Sequence, residues 1–234
     1  MKKRKVTKIL LIVGLIFAVA VVGFLIYAAD YHHADSDALA ALSGDPTIIS
    51  QDNLTILPQE GADTALIFYP GAKVQDVSYL PILEKIRSEC KITCILVKMP
   101  LNMAIFDPGV ANGVIAKFPE IKSWYIGGHS MGGAMASDYA SKNPDKVKGL
   151  ILLGAYIYGD YPPENALTIY GTLNSDLEKH IDYTENIVVI QGGNHAQFGN
   201  YGKQKGDPDA EITAQEQQDI AVCAIKEFLL QKEG

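Results

Sequence analysis

Residues 122–142 read Lys-Ser-Trp-Tyr-Ile-Gly-Gly-His-Ser-Met-Gly-Gly-Ala-Met-Ala-Ser-Asp-Tyr-Ala-Ser-Lys, and this stretch decides the predicted fold. An apolar run at 124–126 leads into Gly128-His-Ser130-Met-Gly132, and a segment of small residues with helical character follows. Strand, sharp turn and helix form the context in which G-x-S-x-G is a nucleophile elbow. We therefore predict that Ser130 is a nucleophile at the apex of this turn.

The two glycines of the motif have a steric reason. A serine at the apex of so tight a turn has a strained backbone, and side chains two residues before or after it would collide with the neighbouring strand or helix. Gly128 and Gly132 remove these collisions, and Ser130 then begins a helix whose free N–H groups favour developing negative charge. The bare motif occurs by chance in roughly one chain in ten of this length, so its placement and its partners decide the interpretation.

The first 29 residues are predicted to lie outside the folded domain. A basic cluster at residues 2–8 precedes an uncharged apolar run at 9–29, which is long enough to cross a bilayer as a helix. The cluster predicts a single-pass protein of the cell membrane with a cytoplasmic N-terminus and an extracytoplasmic domain. A cleaved signal peptide, which would leave a secreted protein, is the alternative. The large residues Ile26 and Tyr27 spoil its small-x-small cleavage pattern.

The rest of the chain is predicted to form a juxtamembrane linker at residues 30–44 and one domain at 45–234. The tail holds 5 of the 20 lysines and arginines and none of the 27 acidic residues, so the remainder carries 15 basic and 27 acidic side chains, a net charge of −12. So acidic a domain is a poor candidate for binding nucleic acid. Its oligomeric state stays open.

The cysteines and histidines do not favour a metal site. No second close pair of cysteines and no suitable histidine spacing accompanies Cys90 and Cys94, and we interpret the pair His32-His33 as solvated. In an exported domain, Cys90 and Cys94 either form a small-loop disulfide or remain core cysteines, with Cys223 buried and free.

Apolar and amphipathic stretches alternate through residues 45–231. Strands alternating with helices indicate an α/β fold with a mostly parallel sheet and helices on both faces. Only about a dozen residues separate the strands that end near Gly154 and begin near Ala166, which leaves no room for a helical lid. Strands are predicted at 47–49, 54–57, 64–69, 92–97, 124–126, 147–153, 166–170 and 187–190, and helices at 37–42, 77–87, 110–117, 133–142 and 213–230.

A serine nucleophile needs a base to take its proton and a third group to orient the base. The glycine-flanked loop after the last strand holds one histidine, so His195 is predicted as the base, with a structural hydrogen bond as the alternative role. The acid should follow the preceding strand. Asp176 is the nearest carboxylate there and is predicted as the third member, with helix capping as the alternative. His129 is interpreted as a packing or turn-shaping residue.

An oxyanion hole needs two N–H donors aimed at the developing alkoxide. The backbone of Met131, directly after the nucleophile, is predicted to supply one. The other is predicted from the loop after the strand at 64–69, where Gly71 allows a close backbone approach. Ala72 is the candidate donor in this loop, and Lys73 is the alternative.

Three segments together resemble the α/β-hydrolase superfamily: Gly-His-Ser-Met-Gly-Gly-Ala-Met-Ala, Phe-Tyr-Pro-Gly-Ala and Gly-Gly-Asn-His-Ala-Gln-Phe-Gly-x-Tyr-Gly. They are most similar to its compact, lidless branch, which includes dienelactone-hydrolase-like proteins (α/β hydrolase fold-5), over about residues 45–231. The resemblance implies a serine nucleophile, a histidine base, no cofactor, and hydrolysis of esters or related acyl compounds. The chain departs from it at one position. Asn174 stands where such proteins usually carry aspartate, so either Asp176 takes that role through a shifted loop or the triad is weakened.

The predicted function is that of a membrane-anchored serine hydrolase that cleaves small-molecule esters or thioesters through an acyl-enzyme. One alternative is a non-catalytic binding or scaffold protein on a hydrolase fold, favoured if Asn174 disables the triad. Another is an acyltransferase that uses the same triad. The loops at residues 101–108 and 156–163 are expected to line the pocket, and their apolar and aromatic residues favour a hydrophobic acyl or aryl group.

Overall fold

The structure is a computed structural model that describes residues 2–174 and 176–233. It divides into two compact units, one ending at Tyr31 and the other beginning at His32. The first unit is a single helix, α1 (Lys2–Ala29). Its segment Thr7–Ala29, 23 residues, is long and apolar enough to cross a membrane, since at 1.5 Å per residue it spans about 35 Å. A signal sequence has the same properties, so α1 is consistent with an anchor or with a signal sequence.

The second unit is organised around one eight-stranded sheet. Its strands are β1 (Ile49–Gln51), β2 (Leu54–Leu57), β3 (Thr64–Tyr69), β4 (Thr93–Val97), β5 (Ser123–His129), β6 (Gly149–Leu153), β7 (Ala166–Gly171) and β8 (Ile187–Ile190). Their spatial order is β1-β2-β4-β3-β5-β6-β7-β8. The β1–β2 and β2–β4 pairs are antiparallel and the other pairs are parallel. The predicted α/β fold with a mostly parallel sheet is confirmed.

Helices cover both faces of this sheet, which explains why its central strands are buried at nearly every position. The helices are α2 (Ser36–Gly44), α3 (Leu80–Cys90), α4 (Ala111–Lys117), α5 (Met131–Lys142) and α6 (Ala214–Glu233). Leu66 and Phe68 of β3 belong to the core shared with α3 and α6. Ala65 and Ile67 belong to the opposite core, shared with α4 and α5. Successive side chains of β3 therefore enter opposite cores, and β3 and β5 are the two central strands of the sheet.

Two elements differ from the sequence prediction in a way that matters for the site. β5 continues to His129, beyond the predicted residues 124–126, because Gly127 pairs with Ile151 through backbone groups that leave no apolar signal. α3 begins only at Leu80, after a 3₁₀ turn at Asp76–Tyr79. This turn brings the Tyr79 side chain into the core beneath the loop that follows β3.

Residues 32–44, within the predicted linker at 30–44, fold as part of the second unit. His32 pairs with Val74 in a parallel bridge beside the loop after β3. The backbone N–H of Asp35 donates to the carbonyl of Asn200 over 2.9 Å. This extended piece finds its backbone partners in two loops of the domain, which is why it does not behave as a free linker.

All three cysteines are free. Cys94 is buried in β4 and Cys90 is half-buried at the end of α3, so the small-loop disulfide is not formed. Cys223 is exposed, which corrects the expectation that it is buried. Between β6 and β7, the described residues 154–165 form a loop with one 3₁₀ turn at Pro163–Asn165 and no α-helix, as the short spacing predicts.

The turn between β5 and α5 has no spare volume. A Cβ on Gly128 would lie 2.5 Å from the carbonyl oxygen of Tyr69 and 2.6 Å from the carbonyl carbon of Gly132. A Cβ on Gly132 would overlap the carbonyl oxygens of Tyr69 and Pro70. These contacts are with backbone atoms, which have no rotamer to change. The glycines therefore let β3, β5 and α5 meet at the serine.

We predict that Gly132→Ala destabilises the second unit by about 1–3 kcal/mol, because the added methyl group cannot be accommodated without moving backbone. Gly113→Ala in α4 is the matched control, since nothing lies within 4 Å of its Cβ position. The control should change stability by no more than about 1 kcal/mol, in the stabilising direction. The measurement is urea unfolding of the full chain in detergent micelles. Equal effects of the two substitutions would contradict the steric account.

Candidate active site

Ser130 is the one residue between β5 and α5, and its backbone is strained as the elbow requires. Its φ is +53° and its ψ is −124°, a conformation that side chains rarely adopt outside functional turns. The N–H of Ser130 donates to the carbonyl of Leu153 over 3.0 Å, which ties the turn to β6. The side chain is half-buried and lines a pocket of about 300 Å³.

This first pocket brings the predicted nucleophile and base together. Asn174, His195 and Asp176 line it with Ser130, and its remaining walls are Met131, Ala134, Gly154, Ala155, Tyr156, Leu177 and His180. A second pocket of about 400 Å³ is lined by Leu173, Gln204, Lys205, Gly206, Asp207 and Pro208 with the shared residues Asn174, Asp176 and His195. His195 therefore lines two pockets, and Ser130 lines one of them.

His195 is fixed through its backbone. Its N–H donates to Oδ1 of Asp207 over 3.1 Å, and the next N–H, of Ala196, donates to Oδ2 over 2.7 Å. Burial lowers the pKa of His195 below its usual value, and the charge of Asp207 opposes that shift. The ring is accordingly neutral at neutral pH, which is the form that a general base requires.

The side-chain partner of the His195 ring is Asn174. The amide nitrogen Nδ2 of Asn174 lies 2.9 Å from Nδ1 of His195. In this orientation the amide donates to Nδ1, so the ring proton sits on Nε2 and that nitrogen cannot accept a proton. A half-turn of the amide presents Oδ1 instead, which accepts from Nδ1–H and leaves Nε2 free to act as a base. Unlike a carboxylate, an amide does not select between the two tautomers.

Asp176, predicted as the acid, makes a different contact. Its carboxylate pairs with Lys179 at 2.6 Å, and its side chain is 87% exposed. That pairing lowers the pKa of Asp176. The loop after β7 turns so that Asn174 faces the imidazole and Asp176, two residues on, faces solvent. The expectation that Asp176 orients His195 is corrected here, because the Asp176 side chain pairs with Lys179. The side chain that contacts the imidazole is that of Asn174, the residue that departs from the family pattern.

His129 is fully buried beneath the site and joins two of its loops. Its Nε2 lies 2.9 Å from the backbone carbonyl of His195, and its Nδ1 lies 2.8 Å from the hydroxyl of Tyr79. A carbonyl only accepts, so Nε2 carries the ring proton and Nδ1 accepts from the Tyr79 hydroxyl. The oxygen of that hydroxyl accepts from the N–H of Gly71 over 3.1 Å. Burial holds the pKa of His129 well below its usual range, so the ring stays neutral.

The oxyanion-hole prediction concerns backbone N–H groups in two segments, the loop after β3 and the start of α5. In the loop after β3, the N–H of Gly71 is used by Tyr79 and the N–H of Lys73 donates to the carbonyl of Asn102 over 2.7 Å. Within the described part of the chain, no acceptor takes the N–H of Ala72 or of Met131. This inventory favours Ala72 over the alternative, Lys73.

The pocket walls only partly follow the sequence expectation. Tyr156 lies on the first pocket, but the loop at residues 101–108 does not line it. The other aromatic side chain that lines the first pocket is His180, whose ring stacks on that of Tyr156 with centroids 5.0 Å apart. The sequence gives no signal for this pair because His180 lies in a charged, solvated stretch. Among the described residues, no group of three His, Cys, Asp or Glu side chains is arranged to hold a metal ion.

Sequence reasoning also missed Tyr79 and Asp207. Tyr79 lies within a segment predicted as helix, so its hydroxyl gave no sign of contacting a histidine 50 positions later. Asp207 follows the histidine loop by 11 to 12 positions in a stretch of glycine, lysine and aspartate that reads as solvated loop. An acidic residue that follows a glycine-flanked histidine within the same loop was the available signal.

Comparison with known proteins points to one family. A sequence model described as the alpha/beta hydrolase family matches residues 65–219. That range begins in β3 and ends in α6, so it includes the elbow, both pockets and the histidine loop. None of the curated protein sequences compared with the chain matches it.

Solved structures share the fold at low sequence identity. A monoacylglycerol lipase from Paleococcus ferrophilus superposes with a TM-score of 0.52 at 12% identity, covering 75% of this chain and 99% of that one. The ferulic-acid-bound Est1E from Butyrivibrio proteoclasticus gives 0.52 at 14% identity, covering 79% and 98%. Carboxyl esterase 2 from the mycorrhizal fungus Tuber melanosporum gives 0.52 at 11% identity, covering 75% and 82%. Such likeness shows the fold.

We predict that Tyr79→Phe destabilises the second unit by about 2 kcal/mol, because the N–H of Gly71 and Nδ1 of His129 both lose their buried partner. Tyr139→Phe is the matched control. It removes a hydroxyl that donates to the Asn112 side chain at the surface of α4, and should cost less than about 1 kcal/mol. Urea unfolding of the full chain in micelles measures both. A Tyr79→Phe loss no larger than the control would show that the hydroxyl does not bridge these groups.

Proposed function

Because the chain belongs to the alpha/beta hydrolase family, we propose that it is a serine hydrolase that cleaves carboxylic esters or thioesters. The observation that carries the proposal is Ser130, held at a φ of +53° between β5 and α5 and facing the same pocket as His195. The lipase and esterases of similar fold named above support this reaction class.

In the proposed mechanism, the Oγ of Ser130 attacks the acyl carbonyl while Nε2 of His195 takes its proton. The N–H groups of Met131 and Ala72 stabilise the oxyanion that forms. His195 then gives the proton to the leaving alcohol or thiol, which leaves an acyl-enzyme. Water, activated by the same imidazole, hydrolyses that ester and releases the acid. No step requires a cofactor.

Asn174 takes the third position of the proposed triad. Its amide orients the imidazole only when Oδ1 faces Nδ1, and it contributes no negative charge to stabilise the imidazolium that forms. We therefore infer a slow hydrolase in comparison with an enzyme that has a carboxylate at this position. The same observation favours the second candidate, a binding protein on a hydrolase fold in which Ser130 is not activated.

The first pocket favours a small acyl group. Its volume of about 300 Å³ is at the lower end of the usual range for ligand pockets. Apolar side chains of Met131, Ala134 and Leu177 and the stacked rings of Tyr156 and His180 suit a short alkyl or aryl group. We propose p-nitrophenyl acetate and butyrate as suitable test substrates.

We also propose that α1 anchors the protein in the cell membrane with the catalytic unit on the extracytoplasmic side. The apolar helix at Thr7–Ala29, which is uncharged from Ile9 onward, and the basic residues up to Lys8 support this orientation. Cleavage of α1 as a signal sequence is the alternative, and the mass of the protein isolated from membranes distinguishes the two.

We predict that the full chain in detergent micelles hydrolyses p-nitrophenyl butyrate and is labelled by a fluorophosphonate. The Oγ of Ser130 should displace fluoride from phosphorus, and the hydroxyl proton should pass to His195. Ser130→Ala should abolish both signals. Ser137→Ala is the matched control, because Ser137 lies in α5, the helix that begins directly after Ser130, and its hydroxyl bonds the backbone of Tyr158. A parent protein that neither turns over the ester nor reacts with the probe would contradict the hydrolase proposal and favour the binding-protein alternative.

We predict that Asn174→Asp raises kcat/KM at pH 8 by roughly tenfold or more, because a carboxylate selects the Nδ1–H tautomer and stabilises the imidazolium. The added charge also raises the pKa of His195, which must be neutral to act. The acid limb of the pH profile, below pH 6.5 in the parent because burial lowers this pKa, should therefore move to higher pH.

Asp176→Asn should change kcat/KM by less than about threefold, since its exposed charge is screened. A large loss in Asp176→Asn would return Asp176 to the triad.

A further inference from the structure

A buried histidine that becomes positively charged during a reaction needs a negative charge nearby, because the apolar surroundings penalise the imidazolium. Asn174, the partner of the His195 ring, is neutral. The compensating charge, if the chain supplies one, must therefore come from another residue around His195.

Among the ionisable groups described around His195, one residue can supply the compensating negative charge. His129 packs against its ring at a centroid distance of 4.5 Å and is neutral. Across the first pocket, His180 carries no negative charge, and Asp176 is neutralised by Lys179 and exposed. In the second pocket, Lys205 carries a positive charge and cannot compensate an imidazolium. The carboxylate of Asp207 remains.

Asp207 is bound closely to the histidine it faces. Both of its oxygens accept from consecutive backbone N–H groups, those of His195 and Ala196. The loop around it is fixed as well, since its own N–H donates to the carbonyl of Gln204 over 3.1 Å and the next carbonyl, of Pro208, accepts from Nδ2 of Asn194 over 2.8 Å. Its side chain is half-buried, so its charge is less screened than that of Asp176.

We propose that Asp207 is a positioning residue that holds the His195 backbone and supplies the negative charge that the neutral Asn174 does not. The proposal rests on the proposed hydrolase reaction, in which His195 takes and returns the proton of Ser130. The orienting and charge-compensating roles, which one triad carboxylate usually combines, are divided here between two residues. Asn174 contacts the ring, and Asp207 acts on it through the backbone and through space.

Asp207→Asn removes the charge and keeps one of the two backbone contacts, because the amide retains one oxygen that accepts from a backbone N–H. Asp209→Asn is the matched control. It removes a carboxylate from the same loop that pairs with Lys203 at the surface. NMR titration of the full chain in micelles, with isotope-labelled histidine and the His195 signal assigned by its absence in His195→Gln, reports the protonation of this ring without requiring turnover.

The sign of the shift distinguishes the possible results. Loss of a nearby negative charge lowers the pKa of His195 further, and this is the expected result in Asp207→Asn. Loosening of the loop would expose the ring to water and raise its pKa, because burial is what lowers it. A rise, or no change relative to Asp209→Asn, overturns the proposal.

Kinetics provide a second readout. We expect Asp207→Asn to lower kcat by about three- to tenfold with KM nearly unchanged, and Asp209→Asn to change neither. In the Asn174→Asp background the loss should be at least about threefold smaller, because the new carboxylate supplies the charge. Equal losses in both backgrounds would overturn the charge role. If the parent is inactive towards esters and the fluorophosphonate, the hydrolase proposal fails. The NMR titration of His195 still decides whether the negative charge of Asp207 raises the pKa of this ring.

Discussion

The close approach of three backbone segments at Ser130 is the constraint on which the rest of the site depends. Gly128 and Gly132 let the end of β3, the end of β5 and the start of α5 come into contact without side chains between them. That contact fixes the loop after β3 next to the N-terminus of α5, so that the N–H groups of Ala72 and Met131, which have no acceptor among the described residues, lie on adjoining segments. The strained backbone of Ser130 is maintained because its neighbours leave it no alternative.

A buried polar chain extends this constraint to the base. From Gly71 through the hydroxyl of Tyr79 and the ring of His129 to the carbonyl of His195, every group has a partner and every proton has one position. Such a chain is stable only when complete, because a buried polar group without a partner is costly. It therefore links the loop after β3 to the histidine loop, so that a shift of one loop must be accommodated by the other.

The fold could be predicted from the sequence because its central strands are covered on both faces. β3, one of the two central strands, begins and ends at the predicted residues, since an apolar run bounded by turn residues leaves little choice. The elbow and the histidine loop were predictable because their glycines have a steric purpose. The identity of the ring's partner was not, because Asn174 and Asp176 are two residues apart and only the path of the loop decides which side chain faces inward. Asp207 was missed because it contacts backbone N–H groups, and its only sign in the sequence is its place in the same loop as the histidine.

The arrangement around His195 explains how a hydrolase site can tolerate asparagine in place of an acid. A triad carboxylate does two things: it selects the tautomer and it stabilises charge. The amide of Asn174 can orient the ring, but it can equally hold the unproductive tautomer, so part of the population is unable to accept a proton. Charge stabilisation is separable from ring contact, since it depends on distance and burial and not on a hydrogen bond to Nδ1. In the proposed reaction, a carboxylate held on the backbone of His195 would therefore stabilise the imidazolium, while the tautomer equilibrium at Asn174 would limit the rate.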